Sequence, residues 1–181
     1  SCVEKDFLRI EEYFPLNFDV YKVIFYRLLE EGKRERAGEL LGLLFTEFEN
    51  RRKEVSKMAE DFGFYFRAER FYRMLFMENP LDWNIVNHLV HLNLQLNRGE
   101  EAQRFFIKLV MLSVSRQERD NVLELVDAFI RRQEYKLIKR RLEEQTSKDK
   151  NKLYMFLILL NLLRSMGSWS SGYDAAFTWL G

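Results

Sequence analysis

The sequence predicts an all-α protein built from repeated helical hairpins. Of its 181 residues, 47% are hydrophobic and 31% are charged, a composition typical of a folded domain with a packed core. Only two prolines and eight glycines are present, and Leu, Phe, Glu, Arg and Lys outnumber the β-branched residues that favour strands. A turn residue followed by an alanine also recurs along the chain, which indicates a repeat.

The repeat consists of a helical pattern, a Gly or Asn, and an alanine five residues later within a second helical pattern. Three stretches show it, and their alanines lie 31 and then 34 residues apart. A small side chain lets two antiparallel helices approach closely, and a turn containing Gly lets the chain reverse. One hairpin cannot bury its apolar face alone, so neighbouring hairpins must stack. The three pairs are Gly32 with Ala37, Gly63 with Ala68, and Asn97 with Ala102.

The middle unit resembles the tetratricopeptide repeat in its small, turn, first aromatic, alanine, second aromatic, aliphatic and closing-proline positions. The matching residues are Ser56, Gly63, Tyr65, Ala68, Tyr72, Leu75 and Pro80. The flanking units repeat the pattern with less agreement, and the resemblance covers about residues 19 to 145. It implies a right-handed superhelical solenoid of about five hairpins, in which the first helices line a concave groove that binds peptides. Pro80 is expected to start the helix of the next unit.

These patterns predict three segments. Residues 1–17 form an N-terminal helical cap, residues 18–146 form about four repeat hairpins, and residues 147–181 form an apolar C-terminal hairpin. The helices are predicted near 3–13, 18–31, 34–48, 51–62, 65–78, 82–97, 100–114, 118–132, 134–146, 151–166 and 172–180.

The residues give little support to catalysis or to a cofactor. His88 and His91 are three residues apart on one helix, but no third metal ligand accompanies them in an HExxH or cysteine pattern. The sequence has no Gly-rich phosphate loop and no GxSxG elbow. A net charge of +1 argues against nucleic-acid binding. We therefore expect a non-catalytic adaptor or scaffold without metal or cofactor.

The predicted binding groove combines polar residues at helical spacing on the first helices of three hairpins. Amides there can pair with a peptide backbone, and ammonium groups can pair with its carboxylates. The alternative is a polar face that is merely solvated. The groove residues are Lys22, Tyr26, Asn50, Lys53, Lys57, Asn84, Asn87, His91 and Gln95.

Some members of the resembled family hold a C-terminal carboxylate with a clamp of Lys and Asn side chains. Lys22, Lys53, Lys57 and Asn87 match that clamp in part. Tyr26 stands where the clamp has an Asn, and the third unit offers His91 in place of a cation, so the chain departs from that pattern.

The C-terminal segment predicts a second contact surface. Residues 153–163 are apolar around nearly the whole helix, and such a helix must be covered. Either the aromatic tail folds back over it, or a second copy or another protein covers it. The residues of this surface are Leu153, Phe156, Leu157, Leu160, Trp169, Phe177 and Trp179. A basic cluster from Arg131 to Arg141 is a further candidate, although such clusters are usually only solvated.

Cys2 suggests an alternative function, that of a different class of protein. A cysteine this close to the start is compatible with the lipid-bearing residue of a bacterial envelope lipoprotein, which would act as a scaffold or carry an apolar ligand. The alternative is that Cys2 lies there by chance and carries a reduced, inert thiol. No stretch reaches the roughly 20 apolar residues of a membrane-spanning helix. Localisation stays open between the cytoplasm and, for a lipoprotein, the periplasm or outer membrane.

Overall fold

The computed structural model describes residues 17–133, 135–145 and 158. Within these ranges the chain forms α-helices joined by short turns, and no strand occurs among them. A single 3-10 turn, Glu49–Arg51, precedes the third of the helices described. The helices are α1 (Phe18–Glu30), α2 (Arg34–Glu47), α3 (Arg52–Asp61), α4 (Tyr65–Glu78), α5 (Trp83–Gln95), α6 (Gly99–Leu112), α7 (Arg116–Arg131) and α8 (Lys136–Gln145).

The helices predicted between residues 18 and 146 are confirmed, each with its ends close to the predicted positions. The role predicted for Pro80 is wrong. Pro80 lies in a turn, and α5 begins only at Trp83, where the Asp82 side chain accepts hydrogen bonds from the backbone N–H groups of Asn84 and Ile85. The helices predicted at 3–13 and 172–180, and all but Ile158 of that at 151–166, lie outside the described residues.

The chain falls into two compact units, the first ending at Pro80 and the second beginning at Leu81. In the first unit α1 packs against α2, α2 against α3, and α3 against α4. Ala37 and Ala68, the predicted close-approach positions, have no exposed surface. The same unit buries large apolar side chains, including Phe45 and Phe71, whose rings stack with centroids 4.2 Å apart. The predicted hairpins of this unit are therefore present.

In the second unit α5 packs against α6, and α6 also contacts α7 and α8. Ala102 is fully buried in α6, as predicted. The rings of Phe106 and Phe129 meet edge to face at 4.9 Å and are fully buried. The start of α8 is capped from α6, because Gln103 Oε1 accepts the backbone N–H of Leu137 at 2.9 Å. Such a cap satisfies a donor that a helix start leaves unpaired.

Each first helix of a hairpin ends in the same left-handed turn. The turn residue has φ of 71° at Gly32, 73° at Gly63, 55° at Asn97 and 57° at Gln133. In the first three turns the next backbone N–H reaches back to a carbonyl five residues earlier, as Lys33 does to Leu28 at 2.8 Å. These bonds satisfy carbonyls that a helix end leaves free. The recurring turn residue is therefore a conformational requirement of the hairpin.

Candidate functional site

Two of the lysines predicted to line the groove already contact carboxylates in the first unit. Lys22 Nζ on α1 lies 2.6 Å from Glu54 Oε1 on α3, with about a third of each side chain exposed (32% and 33%). This hydrogen bond raises the pKa of Lys22 above its ordinary value. Lys57 bonds to Asp61 one turn along α3, at 3.0 Å. The charges of this predicted basic centre are thus partly compensated.

The other predicted residues of the first unit are exposed. Asn50 lies on the 3-10 turn before α3, and Lys53 lies on α3 itself. Tyr26 is 36% exposed and packs edge to face against Phe62, with ring centroids 5.5 Å apart. Phe62 belongs to the turn that ends α3, so this ring contact connects α1 to the α3–α4 turn.

A cavity of about 490 Å³ lies between α5 and α7 in the second unit. Asn87, His91 and Gln95 from α5 line it, which places three of the predicted groove residues at one site. They share a face because they are four residues apart along the helix. Asn84 is exposed near the start of the same helix but does not line the cavity.

The opposite wall comes from α7 and was missed by the sequence prediction. It consists of Asn121, Glu124, Leu125, Ala128 and Arg132, and Leu94 from α5 completes the lining. The sequence contains the pattern that predicts this wall, because α7 is the first helix of the fourth hairpin and its polar residues recur at helical spacing. Applying the rule used for α5 to α7 would have found this wall.

Asn87 lines this cavity with a side chain whose oxygen is one of five unpaired buried polar atoms among the described residues. Its Oδ1 is buried and accepts no hydrogen bond within the described part of the chain. Leaving a buried acceptor unpaired costs about 1–3 kcal/mol, so folded chains rarely retain such groups.

Arg132 is held in place at the end of α7. Its guanidinium donates hydrogen bonds to the backbone carbonyl of Leu94 and to Asn97 Oδ1, the latter at 3.3 Å. These contacts join the end of α7 to the turn after α5. The sequence placed Arg132 in a basic cluster that was a further candidate contact surface, and in the structure Arg132 is exposed and lines the α5–α7 cavity.

A second cavity of about 420 Å³ lies between α6 and α8, lined by Glu100, Gln103, Lys136, Leu137 and Arg140. Gln103 Oε1 is occupied there by backbone N–H groups, and Glu100 bonds to Arg104. Two members of the predicted basic cluster therefore line an open depression. The side-chain oxygen of Gln103 in this depression already accepts hydrogen bonds from the start of α8.

Several predicted residues lie outside the described part of the chain. They are Cys2 and the C-terminal surface of Leu153, Phe156, Leu157, Leu160, Trp169, Phe177 and Trp179. Ile158, which lies within the apolar segment, is helical and fully buried.

Metal-ligating groups do not converge within the described ranges, where no three His, Cys, Asp or Glu side chains form a site for an ion. None of the helices described there has the length and apolar character needed to cross a membrane.

The chain was compared with known proteins. No family model matches it, and no curated protein matches it. A solved structure, a tetratricopeptide repeat protein from Parabacteroides merdae, is similar over 96% of this chain and 70% of its own, with 19% identity and a TM-score of 0.48. The helical-hairpin architecture predicted from the sequence is established by the helices of the chain itself, from α1 to α8.

Proposed function

We propose that this chain is a non-catalytic peptide-binding adaptor, and that the α5–α7 cavity receives an extended segment of a partner protein. The observation that carries this proposal is that Asn87, His91 and Gln95, spaced along one face of α5, line a single cavity. An extended peptide presents backbone N–H and C=O groups at regular spacing, which suits hydrogen-bonding side chains repeated along one helix face.

The rest of the cavity suits the same ligand. Gln95 and Asn121 each carry an amide that can donate to peptide carbonyls and accept from peptide N–H groups. Leu94, Leu125 and Ala128 supply apolar surface for one side chain of the peptide. Polar groups that fix the orientation of a ligand, beside an apolar patch that takes a side chain, are features of a specific binding pocket.

The cavity offers no hydroxyl, thiol or amine nucleophile for covalent catalysis. Its lining contains no Ser, Thr, Cys, Tyr or Lys, and its ionisable groups are His91, Glu124 and Arg132. Arg132 is engaged in the hydrogen bonds to Leu94 and Asn97. Binding without chemistry is the activity that this set of groups supports best.

The lysine face of the first unit is the weaker candidate for the site. A peptide carboxylate arriving there would compete with Glu54 for Lys22 and with Asp61 for Lys57. In the α5–α7 cavity, Glu124 and Arg132 make no ion pair with the described residues that a ligand would have to break. We therefore place the principal site in the second unit.

The test uses the whole chain and a library of short random peptides displayed on phage. Selected peptides are synthesised, and their affinity is measured by fluorescence polarisation for the wild type, Asn87→Ala and Asn84→Ala. We expect Asn87→Ala to weaken binding about fivefold, the value of one hydrogen bond. Asn84→Ala is the matched control, since it removes an amide from the same helix outside the cavity, and its affinity should not change.

Thermal unfolding of the same variants separates binding from folding. Asn87→Ala removes a buried acceptor that has no partner, so it should leave the free protein as stable as the wild type or more so. The proposal fails if no peptide is selected, or if Asn87→Ala and Asn84→Ala bind the selected peptides equally well.

A further inference from the structure

We infer that the segment bound in the α5–α7 cavity carries one basic and one acidic side chain about four residues apart, with an apolar side chain between them. The basic side chain pairs with Glu124 and the acidic one with Arg132. This inference rests on the proposed function and specifies the charge pattern of its ligand.

Two opposite charges line this cavity without a counter-charge among the described residues. The carboxylate of Glu124 is exposed and makes no hydrogen bond or ion pair there. The guanidinium of Arg132 is also exposed, and its hydrogen bonds leave from Nη1 alone and end on neutral oxygens of Leu94 and Asn97. A ligand with charge of a single sign would therefore leave one of the two groups without an ion pair.

The two charges lie at opposite ends of the cavity. Glu124 is in α7 and Arg132 is the residue that ends it, so at a rise of 1.5 Å per residue about 12 Å of helix separates them. Arg132 marks the end beside Leu94, because its guanidinium donates to the carbonyl of that residue. One end of the cavity is thus acidic and the other end is basic.

This separation sets the spacing of the charges in the ligand. An extended peptide rises about 3.3 Å per residue, so it covers the distance in about four residues. Side chains two and four residues apart project to the same side of an extended chain. Opposite charges at such a spacing can therefore reach Glu124 and Arg132 together, while adjacent charges can reach only one of them.

The surface between the two charges is apolar. Leu125 and Ala128 lie between Glu124 and Arg132 on α7, and Leu94 faces them from α5. The ligand residue midway between the two charged residues projects to the same side as they do, so it meets this surface. An apolar side chain at that position gains burial that a polar one would not.

The test uses the whole chain and three synthetic libraries of short peptides with blocked ends. Each peptide carries one Lys, one Glu and otherwise uncharged residues, and the two charges are adjacent, four residues apart or eight residues apart, in both orders. All peptides have the same net charge, so a general attraction cannot separate the libraries. Fluorescence polarisation should show about fivefold tighter binding for the four-residue spacing, the value of one additional exposed ion pair. Raised salt should shrink the difference.

Variants then assign the preferred spacing to the two side chains. Glu124→Gln and Arg132→Gln should each abolish the preference, because one charge of the ligand then has no partner. Asp127→Asn and Arg131→Gln are the matched controls. These two side chains are exposed on α7 outside the cavity lining and make no ion pair within the described ranges, so most of the preference should remain.

Arg132 also bonds to the end of α5, and a conservative variant separates its charge from that contact. Arg132→Lys keeps the positive charge and should retain most of the preference that Arg132→Gln loses. Thermal unfolding of both variants measures the stability lost with the hydrogen bonds to Leu94 and Asn97. Equal loss of the preference in both variants would contradict an ion pair with the ligand.

The outcomes separate this inference from the proposed function. If the three spacings bind alike, in a manner sensitive to Asn87→Ala, the cavity binds peptides and the inferred charge pattern is wrong. If the control variants remove as much preference as Glu124→Gln, the charge of the whole helix selects the ligand, and the assignment to Glu124 and Arg132 is overturned. If no library binds, the proposed function itself fails and this inference fails with it.

Discussion

The two compact units build the same turn from different residues. The first unit uses Gly32 and Gly63 at its left-handed positions, whereas the second uses Asn97 and Gln133. Glycine adopts this conformation without steric cost, Asn tolerates it, and a residue such as Gln adopts it at a cost of about 1–2 kcal/mol. The hairpin therefore imposes the backbone conformation, and the second unit accepts strain to keep it.

The units also differ on the faces of their first helices. In the first unit the charged residues pair with one another, as Lys22 does with Glu54. In the second unit the equivalent face carries amides around a cavity, with Asn87 Oδ1 and Glu124 left without partners among the described residues. This difference indicates that the fold constrains the residues at the turns and helix crossings. The side chains on the exposed faces of the first helices can vary between the units.

The largest expected effect tests whether both units depend on the same close helix crossing. Ala68→Leu in the first unit and Ala102→Leu in the second should each lower the free energy of unfolding by about 1–3 kcal/mol, because both sites are fully buried. Urea denaturation followed by circular dichroism measures the loss. Ala128→Leu is the control, since Ala128 lines the open cavity and should tolerate the larger side chain. A loss in only one unit would show that the hairpins are not equivalent.

An intermediate effect tests the difference between the turns. Gly32→Ala should lower the free energy of unfolding by about 1 kcal/mol, and Gln133→Gly should raise it by up to about 1 kcal/mol. Gly32→Ala tests the backbone conformation without a steric clash, because a Cβ at Gly32 would meet no atom within 4 Å. Thermal and urea unfolding provide the measurement.

Gly42→Ala is the matched control for the turn variants. Gly42 lies within α2, and its added Cβ would make an ordinary 3.6 Å contact with Arg67. Because alanine favours a helix interior, this change should stabilise the protein. Equal effects of Gly32→Ala and Gly42→Ala would contradict the turn assignment.

The smallest expected effect concerns a capping device at the start of α7. Glu118 accepts the backbone N–H groups of Ser115 and Val114 at 2.8 and 2.9 Å, and these bonds lower the pKa of Glu118 from its ordinary value of 4.5. Its stabilisation is therefore complete above about pH 4.5 and is lost as the pH falls through the lower folded pKa.

Urea unfolding of the wild type and Glu118→Ala across this pH range tests the cap. The difference in their free energy of unfolding should be constant near neutral pH and should shrink in acid. Asp127→Ala, on the same helix, removes a carboxylate that makes no hydrogen bond within the described ranges, and its effect should be smaller at neutral pH. A difference for Glu118→Ala that persists unchanged in acid would contradict the assigned role.

The repeat was predictable because its signals are local. A helix is recognised from side chains three and four residues apart, and a turn from a residue that tolerates positive φ, so α1 to α8 and Gly32, Gly63 and Asn97 could be found in order. Gln133 was not found as a turn residue, because nothing in its own chemistry favours the left-handed conformation.

The candidate site was only half predictable for the same reason. Asn87, His91 and Gln95 belong to one helix face, and their spacing revealed them. The ion pair of Lys22 with Glu54 spans 32 residues, and the contact of Arg132 with Leu94 spans 38. Pairings at such distances depend on how helices pack, which no local pattern records.

The sequence by itself determined that this chain forms helical hairpins, where they turn, and which alanines lie at their crossings, because each property depends on neighbouring residues. Only the tertiary structure decided which charges are compensated, since it brought α7 opposite α5 and carboxylates opposite the lysines. It left Asn87 Oδ1 and Glu124 without partners in the described part of the chain. Such unpaired groups arise from packing, which also formed the α5–α7 cavity on which the proposed recognition depends.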